Sequence, residues 1–482
     1  MVDKSKFGCC LLIDYYSFSY ANSIFESGRA SQIAYYDMFF RECPDNSGFA
    51  IMAGVEQLAT ALKNIEFKDS DIEFLRENGM SEGFLDYLKN FKFSCDVWAV
   101  PEGTPIFPGE PIVTVKGPII QAQLIETLIL MSINFQSLIA TKANRISRAA
   151  QGRALVEFGT RRAHGADAAV LGARAAYIGG GDATSCTLAA KKYGIPVFES
   201  MPHSWVQMFN NEYDAFCCYA KRNLNNCTLL VDTYNTLKSG VPNAIRAFND
   251  ILLPKGFRPK GIRIDSGDIC YLSRRARRML DEAGFPDCEI IASNALDEYL
   301  VRDMLLQGAK IDTFVVGERL ITSKSSPVFS GVYKLSAVEE SDDIESRINI
   351  SENVSKITTP GFKKVYRLFD RDSGKAIADL ITLANEKIDE GKTYELFDPN
   401  YTWKRKKVDN FVSRLMLKKI FENGELIYKM PNLKDIRSYC NSQMDTLWDE
   451  VTRFENPHNY YVDISQALYD EKSRMIEKVR DI

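Results

Sequence analysis

ALVEFGTRRAHGADAAVLGARAAYIGGGDATSCTLAAKKYGIPVFESMPHSW, residues 154–205, sets apolar strand-like runs against an alanine-rich segment and a run of glycines. Ala154 to Val156 is a short apolar strand, left through Glu157-Phe158-Gly159-Thr160. Arg161 and Arg162 follow, and an alanine-rich helix is expected from there to about Tyr177. Arginines at a strand-to-helix junction hold carboxylate or phosphate oxygens in a bidentate fork, and a helix N-terminus adds positive potential. Phe158 suits covering the face of a flat ring; the plainer alternative is a surface arginine pair beside a core phenylalanine. The run Gly179-Gly180-Gly181 permits close backbone approach to a phosphate, and Thr184 and Ser185 offer a helix cap or an oxyanion contact. A helix over 186–193 stops at Gly194. Ile195 to Phe198 reads as a second strand delivering Glu199, Ser200, Pro202, His203 and Ser204. His203 is one of only three histidines, and a histidine in a polar loop after a strand suits proton transfer or nucleophilic work.

Outward from this stretch the pattern is periodic. Short apolar strands end at about Thr160, Ser200, Thr233, Asp265, Ser293 and Gly317, with helical stretches between them. One helix, 270–283, places Leu272, Ala276, Met279, Leu280 and Ala283 on one face; another, 297–307, places Leu300, Val301, Met304 and Leu305 there. Alternating strands and helices predict βα units and a parallel sheet. Six units predict a closed or partly closed α/β barrel, with the site where the strand ends converge. In GIRIDSGD (261–268), Arg263 and Asp265 alternate on a strand and point the same way. They suit an anionic substrate together with Mg²⁺ or ribose hydroxyls, or else an internal salt bridge. ASNALDE (292–298) offers Ser293 and Asn294, and VVGERLITSK (315–324) offers Gly317, Thr322 and Lys324, for holding a phosphate.

The flanks read differently. Residues 8–25 are expected to form a short strand and an aromatic-rich helix capped by Asp14. Strands follow at 33–40 and 47–52, helices at 54–64 and 81–90, β structure at 98–118, and one or two helices at 121–150. Beyond 330 come a strand (GVYKLSAV), a solvated acidic loop (EESDDIESR), antiparallel β structure, and helices at 409–421, 433–454 and 463–480. His458 reads as structural. The division expected is 1–140, an α/β sandwich; 141–335, the barrel; and 336–482, an α+β extension.

Composition narrows the function classes. A net charge of −4 argues against a general nucleic-acid binder. No run of about 18 uninterrupted apolar residues predicts a membrane span. The N-terminus, MVDKSKFGCC, lacks secretory-signal features, and eleven scattered cysteines without a CxxC pair fit reduced thiols and a cytoplasmic setting.

Taken together, EFGTRRAHGADAA, PHSWV, IRIDSGD, IIASNALDEYL and SGVYKL resemble the nicotinate phosphoribosyltransferase family, over almost the whole chain from LLIDYYSFSYA to RFENPHNYYVDIS. The resemblance implies an α/β barrel packed with an N-terminal sandwich, and a homodimer with a shared site. It implies joining of nicotinate to phosphoribosyl pyrophosphate with Mg²⁺, coupled to ATP through a phosphorylated histidine. Carried over by position, Phe158 stacks on the pyridine, Tyr16 covers its other face from the partner chain, and Arg161 contacts substrate or phosphates. His203 is the phosphohistidine, with Ser204 beside it. Arg263 lies near the pyridine carboxylate, Asp265 near the ribose or Mg²⁺, and Ser293, Asn294 and Gly317 cradle the 5′-phosphate. The related nicotinamide enzyme has an Asp where this chain has Ser185, which favours nicotinate. Glu199 and Glu318 depart from the family pattern beside phosphate sites, where like charge repels. They leave a non-catalytic phosphoribosyl-ligand binder, or a nicotinamide or quinolinate enzyme, as alternatives.

Overall fold

Ile139–Pro327 form one of two compact units in this computed structural model, which describes residues 9–341, 343–352, 356–398 and 403–480. The N-terminal octapeptide and Asp342, read above for signal features and for the acidic loop, lie outside the described residues.

The 139–327 unit is built on six parallel strands. Their order is Ala183–Thr184, Ala154–Glu157, Thr313–Val316, Glu289–Asn294, Gly261–Ile264 and Thr228–Leu230. The first and last are edges, so the sheet is an open half-barrel. All six strands are short and mostly apolar, and Glu157, Thr184, Ser293 and Asn294 stand at or next to the carboxyl ends of theirs, as expected for a parallel sheet covered by helices. Three local expectations are corrected. Ile195–Phe198 is not a strand: Val197 makes a single bridge to Thr184, and Pro196 offers only its carbonyl, which accepts from Thr184 N at 2.9 Å. Ala183–Thr184 takes the edge place instead. The arginines do not open a helix: Thr160–Arg162 is one 3₁₀ turn, and the helix Ala166–Ile178 begins after Gly165, at φ 120°.

The glycine run is the third correction. Gly179 packs on the long helix Glu126–Ala149; a Cβ there would lie 2.1 Å from Ala140 O, and one on Gly180 would lie 2.8 Å from Ser147 Oγ. These glycines bring helix to helix, and the Gly179, Gly180 and Gly181 amides donate back to Ala175 O, Tyr177 O and Ala176 O.

Helix Ile269–Glu282 buries Ile269, Cys270, Ser273, Ala276 and Leu280 and turns Arg274, Arg275 and Arg278 outward, with Asp268 accepting from Tyr271 N at 2.9 Å as the N-cap. Helix Glu298–Leu306 departs from the predicted face. Leu300 is exposed, whereas Glu298 is fully buried against Lys142 (2.8 Å) and Arg145 (2.9 Å).

The other unit joins the chain before Leu138 to the chain after Val328. Its seven-stranded sheet runs in the order Asp343–Ser346, Gly331–Glu340, Ile33–Phe40, Val113–Pro118, Asp96–Ala99, Lys418–Glu422, Glu425–Leu426. The C-terminal segment therefore completes the N-terminal sheet. A six-stranded sheet includes Lys363–Asp370, Ala376–Leu383 and Val462–Ile464. Residues 409–421 are strands Phe411–Leu415 and Lys418–Glu422, not a helix, because they find partners in Lys363–Asp370 and Asp96–Ala99. Cross-strand pairing outweighs the propensity of VSRLMLKKI. Of the stretch expected as an acidic loop, Glu339–Glu340 and Asp343–Ser346 belong to antiparallel strands, with Glu340 opposite Asp343.

Residues Cys9–Leu11 form a 3₁₀ turn instead of a strand. Asp14 precedes helix Tyr15–Glu26 without capping it, because its carboxylate accepts from Thr127 Oγ1 at 2.9 Å. The stretch Ile119–Ala149 is long and apolar enough to cross a membrane by composition; 61% of its apolar window is packed inside the protein, the pattern of a core helix.

Candidate active site

Arg263 is the centre of the polar residues at the strand ends. It is 6% exposed, on strand Gly261–Ile264, next to the edge strand Thr228–Leu230. Its Nε donates to Ser293 Oγ (2.8 Å), Nη1 to Ser200 Oγ (3.4 Å) and Nη2 to Asp265 Oδ1 (3.2 Å). Ser293 Oγ in turn donates to Asp265 Oδ1. Both readings of this motif are therefore realised: the pair is an internal salt bridge, and the guanidinium still lies 5.2 Å from the Phe158 ring centroid. Arg161 lies 5.4 Å from the same centroid. Phe198 meets Phe158 edge-on at 6.1 Å. A half-buried aromatic ring flanked by two guanidinium groups suits a planar anion.

Glu157 fixes this ring's strand. It is 1% exposed and accepts from Gly159 N and from Thr184 Oγ1 at 2.6 Å, which ties two neighbouring strand ends together. Burial pushes its carboxyl above the usual range, while these two bonds pull it back. Ser185 follows Thr184 and lies 3.4 Å from Thr160 Oγ1, lining an open cleft of about 510 Å³ with Phe158, Arg161 and Glu199.

A second cavity, of about 160 Å³, is lined by Phe158, Arg161, Arg162, Asp265, Asn294 and Gly317 among others. Asn294 has φ 133°, a conformation rare outside glycine, and its side chain accepts from Ala295 N at 2.7 Å. Such strain is held only where the surroundings enforce it. Gly317 is required by contact rather than by φ: a Cβ would stand 2.9 Å from Phe158 O. Glu318 also lines this cavity, yet Lys324 Nζ reaches its Oε1 at 2.7 Å. That hydrogen bond holds the Glu318 carboxyl below its ordinary value, with Arg162 and Arg319 adding to the effect. The acid is therefore balanced by cations, and Lys324 is spent on it. Thr322 Oγ1 donates to Glu318 O at 2.8 Å, and among the described residues it does not line the cavity.

His203 opens the short helix His203–Gln207, with Ser204 exposed beside it. Its Nδ1 is 3.1 Å from Thr233 Oγ1, and its Nε2 is 3.8 Å from Asp265 Oδ2. Asp232 accepts from Asp265 N (3.0 Å) and Ser266 Oγ (2.5 Å). The strand ends thus bring together Phe158, Arg161, Ser185, His203, Arg263, Asp265, Ser293, Asn294 and Gly317. Tyr16 belongs to the other unit; the residue is 56% exposed and its hydroxyl donates to Glu126 Oε2 at 2.7 Å, and partial burial, with that hydrogen bond adding to it, pushes the hydroxyl up to about 12.

Sequence reasoning assigned no role to Asp232, Thr233 or Glu157. The signal existed for the first two: LLVDT places polar residues directly after an apolar strand, as IRIDS does.

Comparison with known proteins gives the family. Residues 11–134 match the family model for the nicotinate phosphoribosyltransferase N-terminal domain, and residues 362–472 match that for its C-terminal domain. A nicotinate phosphoribosyltransferase of Bacillus subtilis is 42% identical over 468 residues, 97% of this chain and 95% of that protein. One from Dictyostelium discoideum is 33% identical, over 95% of this chain and 87% of the other. The crystal structure of human nicotinic acid phosphoribosyltransferase superposes with a TM-score of 0.83 at 25% identity, covering 97% of this chain and 99% of that one. A nicotinate-nucleotide pyrophosphorylase from Pyrococcus furiosus, at 24% identity and TM-score 0.70, shares the fold. With a half-barrel of this order and likeness along nearly its full length, the chain belongs to the nicotinate phosphoribosyltransferase family.

Proposed function

We propose that this enzyme joins nicotinate to phosphoribosyl pyrophosphate in NAD salvage, with ATP hydrolysis coupled through His203. The observation that carries the substrate is the Phe158 ring between Arg161 and Arg263. Nicotinate is planar, aromatic and anionic, so one face stacks on Phe158 while its carboxylate meets guanidinium and hydroxyl donors. Ser185 supports a carboxylate over an amide, since a serine at that position brings no negative charge to repel it.

In the reaction the pyridine nitrogen forms a bond to the ribosyl C1 as the C1–pyrophosphate oxygen bond breaks, and the pyrophosphate leaves with the electron pair. The ribosyl carbon is cation-like at that point, and the Asp265 carboxylate lies on the strand end where it stabilises such charge. Ser293, Asn294 and Gly317 hold the 5′-phosphate in this reading. Gly317→Ala raises KM for phosphoribosyl pyrophosphate about 10- to 100-fold, because the new Cβ displaces the loop from Phe158. Steady-state kinetics with that substrate varied checks this, and an unchanged KM contradicts the assignment.

Asp265 Oδ2 stays outside hydrogen-bond distance of His203, and the side chain is 31% exposed. One carboxylate oxygen with room for water fits a hydrated Mg²⁺, completed by substrate phosphates. Among the described residues no group of three or more His, Cys, Asp or Glu gathers to hold a metal by itself. Bound there, Mg²⁺ supplies charge neutralisation of the pyrophosphate.

His203 takes the γ-phosphoryl group of ATP, and its later hydrolysis drives turnover. Thr233 fixes the ring through Nδ1. The added charge of about −2 beside the pyrophosphate end alters affinities for substrate and product. His203→Ala is expected to keep basal nucleotide formation and lose its stimulation by ATP. ATP stimulation that survives in this variant overturns the coupling role. The exposed ring of Tyr16 of the partner subunit covers the second face of the pyridine in a homodimer, and the setting is cytoplasmic.

A further inference from the structure

The cleft beside Phe158 is walled from two neighbouring strands. Phe158 and Arg161 follow strand Ala154–Glu157, Ser185 follows Ala183–Thr184, and Phe198 closes the same cleft. Glu157 and Thr184, the last residue of each strand, are register partners in the parallel sheet. Their side chains join the walls. Thr184 Oγ1 donates to Glu157 Oε2 at 2.6 Å and accepts from Cys186 N at 2.9 Å, and Glu157 Oε1 accepts from Gly159 N. The backbone continues the connection: Ser185 N donates to Glu157 O at 2.9 Å, and Phe198 N to Thr184 O at 3.1 Å. Phe158 is therefore bracketed by bonds to Glu157, Ser185 by bonds to Glu157 and Thr184, and Phe198 hangs from Thr184 by its own amide.

Neither Glu157 nor Thr184 lines the cleft or the second cavity. Each is 1% exposed, so bulk water does not replace a partner that is removed. Phe158 N is bonded to Val316 O at 2.8 Å independently of Glu157, which anchors the strand end beside Gly317. The Glu157–Thr184 connection thus bears on the pyridine side of the site and leaves the phosphate side its own support.

We propose that Glu157 is a positioning residue for the pyridine: through Gly159 and Thr184 it sets the gap between the Phe158 ring and Ser185. This role rests on the proposed reaction, in which Phe158 stacks on nicotinate and Ser185 favours its carboxylate. Both side-chain bonds run into the Glu157 carboxylate. A methionine, of similar length, removes both. A glutamine keeps both, since its carbonyl accepts from Gly159 N and its amide donates to Thr184 Oγ1.

Purified wild type, Glu157→Met, Glu157→Gln and Thr184→Val are compared in steady-state nucleotide formation, with folding followed by circular dichroism. Glu157→Met and Thr184→Val are expected to raise KM for nicotinate about 10- to 100-fold, with KM for phosphoribosyl pyrophosphate within about threefold of wild type. Glu157→Gln is expected to stay within about threefold for both substrates. An unchanged KM for nicotinate in Glu157→Met, an equal rise in both KM values, or a Glu157→Gln as impaired as Glu157→Met overturns the proposal. If Glu157→Met does not fold, Thr184→Val, which exchanges a hydroxyl for a methyl group, decides by the same two KM values. If wild type forms no product, the reaction is refuted, and nicotinate binding followed by calorimetry decides the positioning role. Affinity about tenfold or more weaker in Thr184→Val than in wild type supports it. Equal affinity, or no binding to wild type, refutes it.

Discussion

Arg263→Ala lowers kcat/KM for nicotinate by about 10³-fold or more, and Arg263→Lys does not restore it. The arginine makes three hydrogen bonds, to Ser293, Ser200 and Asp265, and still lies 5.2 Å from the Phe158 ring centroid. A lysine ammonium is a point charge and cannot satisfy that fork. Its removal also leaves Asp265 with only Ser293 against Oδ1, so the carboxylate beside His203 loses its fixed orientation. Because the guanidinium is buried, breaking the pair costs stability too, by about 3 kcal/mol at the low end of buried-pair values. Activity measured on protein shown to be folded separates the two effects. A variant that is folded and loses less than about tenfold removes Arg263 from the centre of the site.

Glu298→Ala destabilises the 139–327 unit by about 3–5 kcal/mol, seen as a melting shift on the order of 10 °C. Glu298, Lys142 and Arg145 have side chains 0%, 2% and 1% exposed. Removing the carboxylate takes the Glu298 partner away from two buried cations, a far greater penalty than breaking a surface pair carries. Glu298 opens the helix after Asn294, so its loss also loosens the strained turn at φ 133° that lines the second cavity. Glu298→Met, a near match in length, is expected to be as damaging as alanine, since lost charge pairing and not lost volume is at fault. A shift of less than about 1 kcal/mol in either variant contradicts this.

The parallel sheet was legible because its strands are short apolar runs ended by polar residues, and IRIDSGD, IIASN and VVGE each deliver their residues where expected. What sequence alone misplaced shares a cause: tertiary partners. Gly179 and Gly180 looked like a phosphate loop because glycine permits close approach, but what approaches is another helix. Ile195–Phe198 has strand-like composition, and Pro196 removes the donor that a ladder needs. Residues 411–422 have helical propensity and become strands because two distant strands pair with them. The acid Glu318 looked hostile to phosphate; only the structure brings Lys324 to it. Asp232 and Thr233 were visible as a strand end, but their contacts with Ser266 and His203 span about thirty residues and are set by the sheet order.

The measurement that bears most directly on this account is nucleotide formation from phosphoribosyl pyrophosphate and Mg²⁺, with nicotinate or nicotinamide as the pyridine, each with and without ATP. Nicotinate mononucleotide and pyrophosphate are expected in equal amounts, with a yield that rises with ATP, and little product is expected from nicotinamide. No product from nicotinate in either condition, or a preference for nicotinamide, contradicts it.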